Sequence, residues 1–148
     1  MTYSRRDLGY LLPILTAGSG AAQQSSETKG PLKKLDSKAY PYDTLPAKKN
    51  GENTARAVLN GATHTGYPVE LHLTELGPGQ RPHPPHRHVH EEILMLQTGQ
   101  LEVTMNGQTT RIRPGSVVYV ASNDLHGWMN PGAEPAQYFV IALGGDAA

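Results

Sequence analysis

Residues 101–113 read Leu-Glu-Val-Thr-Met-Asn-Gly-Gln-Thr-Thr-Arg-Ile-Arg. Asn106-Gly107 interrupts a run in which Leu101, Val103 and Met105 alternate with Glu102 and Thr104. The tightest hairpin turns need positive φ at both central residues, and Asn-Gly meets that need at the least steric cost. A strand before the pair and a returning strand over 108–113 follow from this. The rest of the chain must supply sheet partners for that hairpin, and it does. Val69, Leu71 and Leu73 alternate with Glu70, His72 and Thr74, a period of two. Arg113-Pro114-Gly115 is a second turn, followed by the β-rich Ser116 to Val120, and a last run extends from Ala136 to Leu143. Turn signals recur about every eight to twelve residues, the spacing of an all-β sandwich or barrel. No helical period follows residue 22, and no segment repeats internally.

A chain of 148 residues suits one domain. The reading divides it into an address segment at 1–22, an irregular arm at 23–54 and a β-barrel domain at 55–148. In the arm, Pro31, Pro41 and Pro46 stand among scattered lysines, with Tyr40, Tyr42 and Leu45 placed to tack its second half onto a surface. The formal net charge is zero, which argues against a nucleic-acid partner, since such domains are normally basic. The pairs Lys33-Lys34 and Lys48-Lys49 read as solvated faces. The chain has no cysteine, so disulfides, thiolate ligands, a cysteine nucleophile and a lipidated cysteine anchor are excluded.

Arg5 and Arg6 precede a short apolar run from Leu8 to Ala17, and Gly18 to Ala22 are all small. These are the basic start, apolar core and cleavage zone of a secretory signal. The core is too short to span a bilayer, so no stable membrane anchor is expected. Ser4-Arg5-Arg6-Asp7-Leu8 resembles a twin-arginine signal, although Gly9 stands where that pattern usually has an apolar residue. The expected location is periplasmic or secreted, with the mature chain starting at Gln23.

The chemistry concentrates in Pro-His-Pro-Pro-His-Arg-His-Val-His-Glu-Glu, residues 82–92. On a strand, His86 and His88 point to one face and can reach a single ion, and Glu92 shares their parity. Pro82, Pro84 and Pro85 stiffen the approach. His126 is the natural further donor. His90 shares the parity too, and reads as an alternative ligand, a supporting group or a solvated side chain. His83 is expected to be exposed, and His64 to lie in a loop without a partner. His72 either lines a cavity or packs. Trp128, in phase with His126, either walls the pocket or belongs to the core or a dimer contact. Tyr119 and Met105 are further candidates for the lining.

The pattern resembles the cupin superfamily. Gly79, His86-Arg87-His88, Glu92 and Gly99 fit its first motif, with a six-residue lead-in that is one residue longer than the usual five. His126 and Asn130 fit the second, where Ala121 and Asn123 replace a proline and a glycine, so that turn can take a different shape. The resemblance covers about residues 55–143. It implies a double-stranded β-helix, or jelly-roll, barrel. It also implies one divalent transition metal, Mn, Fe, Co, Ni, Cu or Zn, on His86, His88, Glu92 and His126, a donor set that lacks soft sulfur. The alternative is a metal-free barrel whose histidines satisfy one another.

The resemblance supports a metal-dependent enzyme acting on a small organic molecule, of dioxygenase, isomerase or decarboxylase type, with Glu92 in a dual role as ligand and base. A non-catalytic module that binds metal or a small ligand is the competing reading. A pocket base or charged anchor independent of the ligands would discriminate, and the sequence names none. Arg111 and Arg113 alternate with Ile112 and are expected to face water. Exposed sheet edges need cover, so a homodimer is expected under either reading.

Overall fold

The computed structural model describes residues 31–145 and 147. The expected address segment and the start of the arm lie outside the described residues. Nine strands are described: β1 (Ala47–Asn50), β2 (Asn53–Ala62), β3 (Pro68–Leu76), β4 (Glu91–Thr98), β5 (Leu101–Met105), β6 (Gln108–Ile112), β7 (Val117–Val120), β8 (His126–Met129) and β9 (Ala136–Leu143). They form two antiparallel sheets, one in the order β1-β2-β3-β9-β4-β7 and one in the order β6-β5-β8. The sheets close as a jelly-roll barrel. The all-β expectation therefore holds. Asn106 and Gly107 take φ values of 48° and 85°, as the hairpin between β5 and β6 requires.

Alternation decides which side chains fill the barrel. Ala136, Tyr138, Val140 and Ala142 of β9 are buried, as are Glu92, Leu94 and Leu96 of β4. Leu101, Val103 and Trp128 meet them from the smaller sheet. β4 has no visible alternation in its sequence, because Ile93 and Met95 are also largely covered. It runs between β9 and β7, where both faces of a strand tolerate apolar residues.

Two expectations need correction. The arm at 23–54 is not irregular throughout, since its last part is β1, paired with β2. Its charged and amide side chains suit an edge strand, which must not attract further strands. Further back, the Leu35 amide donates to the Ala62 carbonyl at 2.9 Å, and Tyr42 donates its hydroxyl to Glu75 at 2.8 Å. The arm is thus laid on the sheet. Secondly, His86 and His88 are not on a strand. They precede β4, and His86 makes only an isolated antiparallel bridge with His126. Three prolines between 82 and 85 supply no amide hydrogen, so no ladder can run through them.

Candidate metal centre

The bridge that replaces a ladder does useful positioning. The His86 amide donates to the His126 carbonyl at 3.0 Å, and the His126 amide donates back at 3.1 Å. This ties the loop before β4 to the start of β8, one on each sheet. Asn123 supports the same junction with its φ of 63°, the left-handed conformation that a glycine would otherwise supply and that Asn tolerates. Its amide donates to the His88 carbonyl at 2.8 Å, and the Arg87 guanidinium donates to its carbonyl. The replacement of glycine in the second motif thus leaves the turn intact.

His86, His88 and His126 bring one ring nitrogen each within 4.8 Å of one another. His88 Nε2 and His126 Nε2 stand 3.2 Å apart. Glu92 enters from β4, with Oε1 3.4 Å from His88 Nε2 and Oε2 3.3 Å from His126 Nε2. The ring tautomers follow from the other nitrogens. His88 Nδ1 faces the His90 carbonyl at 2.8 Å, and His126 Nδ1 faces the Asp124 carbonyl at 2.9 Å. A carbonyl only accepts, so both Nδ1 atoms carry hydrogen and donate. In the neutral rings both Nε2 lone pairs then point at each other and at a carboxylate. A shared cation would satisfy such a cluster of acceptors. His86 Nδ1 and Glu92 Oε2 are also buried without a hydrogen bond among the described residues. Burial, and then the neighbouring His83, His126 and His88, hold the His86 imidazole below its ordinary pKa, against the Glu92 charge. A ring kept neutral is a ring able to ligate. The donor set fits a divalent transition metal.

The other histidines fall into distinct settings. His90 stacks on His88 with ring centroids 3.6 Å apart, and its Nε2 is 3.4 Å from Glu92 Oε1. With His88 and Glu92 it forms a second, overlapping group of candidate ligands. His83 is not a free exposed side chain, since its ring meets His86 edge-on at 4.1 Å and Trp128 at 5.9 Å. His64 is exposed in its loop. His72 lies on β3 and is paired with Glu70 through Nδ1 at 3.0 Å. Trp128 is buried and donates its indole N–H to the Tyr138 hydroxyl at 2.8 Å. Tyr119 faces outward, 55% exposed, and so lines no interior pocket. Met105 packs against the core, and Arg111 is exposed and paired with Glu102. Asn130 is fully buried and structural: its amide donates to the carbonyls of Leu76, Gly77 and Glu134, and its Oδ1 accepts from the Gly132 amide.

Beside the cluster is a cavity of about 310 Å³, lined by residues that include Lys48, His72, Thr74, His83 and Tyr138. Sequence reasoning missed Lys48, because a lysine pair in a polar arm carries no sign of which member faces inward.

Residues 72–142 match the family described as Cupin domain. The barrel has the cupin fold. Among curated proteins the chain is similar to the dimethylsulfoniopropionate lyase DddW of Ruegeria pomeroyi, at 28% identity over 76% of this chain and 73% of that one. Among solved structures, KdgF from Halomonas sp. superposes with a TM-score of 0.63 at 15% identity, over 75% of this chain and 97% of that one. The polyketide cyclase RemF from Streptomyces resistomycificus superposes with a TM-score of 0.61 at 19% identity, over 73% and 80%. At these identities the structural likeness establishes the cupin barrel.

Proposed function

We propose that this protein is an exported, metal-dependent enzyme that acts on a small organic molecule by elimination. One observation carries the metal: the Nε2 atoms of His88 and His126 face each other at 3.2 Å, with the Glu92 carboxylate against both. His86, His88, His126 and Glu92 are the proposed ligands. When bound, the ion supplies Lewis-acid polarisation of a substrate oxygen. The chain's part is to fix that ion. The carbonyls of His90 and Asp124 orient two imidazoles, and the 86–126 bridge locks the loop that carries two of the ligands. The elimination class rests on the likeness to a dimethylsulfoniopropionate lyase. Export rests on the Arg5-Arg6 segment.

The test is elemental analysis of protein purified from the periplasmic fraction of cells that express the full chain, followed by assay on dimethylsulfoniopropionate. About one transition-metal ion per chain is expected, lost in His126→Ala, together with release of dimethyl sulfide by the wild type. Metal bound equally well by His126→Ala would refute the centre. A loaded wild-type protein that releases no sulfide would refute the elimination, and recovery only from the cytoplasm would refute export.

A further inference from the structure

None of the four proposed metal ligands lines the cavity beside the cluster; His83, whose ring meets His86, stands between the two. Strand register shows what faces the cavity. Lys48 pairs with Ala55, Ala55 with Thr74 and Thr74 with Tyr138, so these four form one row across β1, β2, β3 and β9. Thr74 and Tyr138 are buried, so the row lies on the inner face and Lys48 extends it to the rim. The next rows set His72 beside Val140, and Glu70 beside Ala142. Ala142 also pairs with Glu92 on its other side. Glu70 and Glu92 are therefore two strand spacings apart on one face, about 10 Å between backbones. The residue between them is a small alanine.

From this arrangement we infer that the cavity binds a small carboxylate, with Lys48 as its anchor and His72, oriented by Glu70, as the group that takes a proton from it. Lys48 lines the cavity and has no carboxylate partner among the described residues. Its ammonium group is the charge that a carboxylate ligand needs. His72 Nδ1 lies 3.1 Å and 3.0 Å from the two oxygens of Glu70. A carboxylate accepts only, so Nδ1 carries hydrogen, and Nε2 of the neutral ring is the acceptor. Glu70 then also holds the imidazolium that proton transfer creates. His83 lines the same cavity, but its Nδ1 faces the Pro84 carbonyl and its ring packs on His86. Among the described residues its ring has no carboxylate partner. The cavity volume of about 310 Å³ is at the small end for ligand sites, which favours a compact molecule.

In an elimination the C–H bond beside the substrate carboxylate breaks and its proton passes to His72 Nε2. The electron pair left behind becomes the new C=C bond. The leaving group departs from the adjacent carbon with its bonding pair. His72 is the catalytic residue in this scheme, and Glu70 is a positioning residue. The inference deepens the proposed elimination and rests on it for turnover, whereas carboxylate binding stands apart.

The experiment uses the zinc-loaded full chain, with propionate as probe and propionamide as its uncharged counterpart. Long-range proton–nitrogen NMR of the imidazoles should show His72 as the Nδ1–H tautomer, with a saturable shift at Nε2 on adding propionate and none with propionamide. Lys48→Met should weaken propionate at least about tenfold while keeping the zinc content. On dimethylsulfoniopropionate, His72→Asn should lower kcat by about a hundredfold or more. Glu70→Gln should lower kcat with little change in KM and scramble the His72 tautomer, an effect that mere loss of packing would not produce. Equal propionate affinity in Lys48→Met, an unresponsive His72, or full kcat in His72→Asn would overturn the inference. If no form turns over dimethylsulfoniopropionate, the elimination falls, and the propionate titration still decides the carboxylate site.

Discussion

The Tyr138 hydroxyl shows how one residue joins the core to the site. It accepts the Trp128 indole N–H at 2.8 Å, and Trp128 in turn packs on His126, with ring centroids 5.8 Å apart. Burial pushes the phenol up to about 12, the Glu92 charge adds to the rise, and the hydrogen bonds with Trp128 and Thr74 pull the other way. A raised folded pKa means the folded state favours the neutral phenol. The stability linked to it is complete below pH 10 and is lost as pH climbs through about 12. The loss amounts to roughly 2–3 kcal/mol. Urea unfolding from pH 8 upward should show wild type losing that much more than Tyr138→Phe, and parallel curves would contradict the assignment. At this scale the sequence was informative where spacing alone fixes a role. His86, His88 and Glu92 lie within seven residues, and their parity already pointed them one way. Asn123 was legible as a deviation but not as a harmless one, since its left-handed φ of 63° is a property of the turn. Lys48 was illegible, because only pairing with β2 decides which of two adjacent lysines turns inward.

Among the elements, the hairpin between β5 and β6 was written plainly in Asn106-Gly107, whereas β1 and β4 were not. β1 has no apolar alternation, because it is an edge strand with every residue exposed. β4 is a near-continuous apolar run, which periodicity cannot distinguish from buried helix. The end of β4 rests on a different device. Gly99 has a φ of 76°, and a Cβ there would sit 2.6 Å from the Ala136 Cα and 2.8 Å from the Pro135 carbonyl oxygen. Backbone cannot yield as a side chain can, so the β4–β5 turn and the start of β9 approach as closely as they do only with glycine present. Gly99→Ala should cost on the order of 3 kcal/mol, combining left-handed strain with the clash. The urea midpoint is the readout, and a loss below about 1 kcal/mol would mean that the turn relaxes freely.

For the whole molecule, the candidate centre stands where the two sheets meet. Glu92 belongs to the six-stranded sheet, His126 begins a strand of the three-stranded sheet, and His86 and His88 lie in the segment that leads into β4. The barrel was foreseeable from turns and alternation, but this junction was not. Sequence placed the histidines on a ladder, and three prolines turned that ladder into a single bridge to His126. Among the described residues three backbone bonds join the two segments there, the 3.0 Å and 3.1 Å bonds of that bridge and the 2.8 Å bond from Asn123 to His88, so an ion held by all four side chains would act as a clamp between sheets. Anything that binds the folded state alone stabilises it by mass action, about 2.7 kcal/mol at a hundred times its dissociation constant. For a domain of this size that corresponds to roughly 10 °C in Tm. Removal of metal with a chelator should therefore lower the Tm of wild type by about that amount, and re-addition should restore it. His126→Ala should melt at the same temperature with and without chelator. A wild-type Tm indifferent to chelation, in protein shown by elemental analysis to have lost its metal, would mean that the cluster holds the sheets together by hydrogen bonds and packing alone.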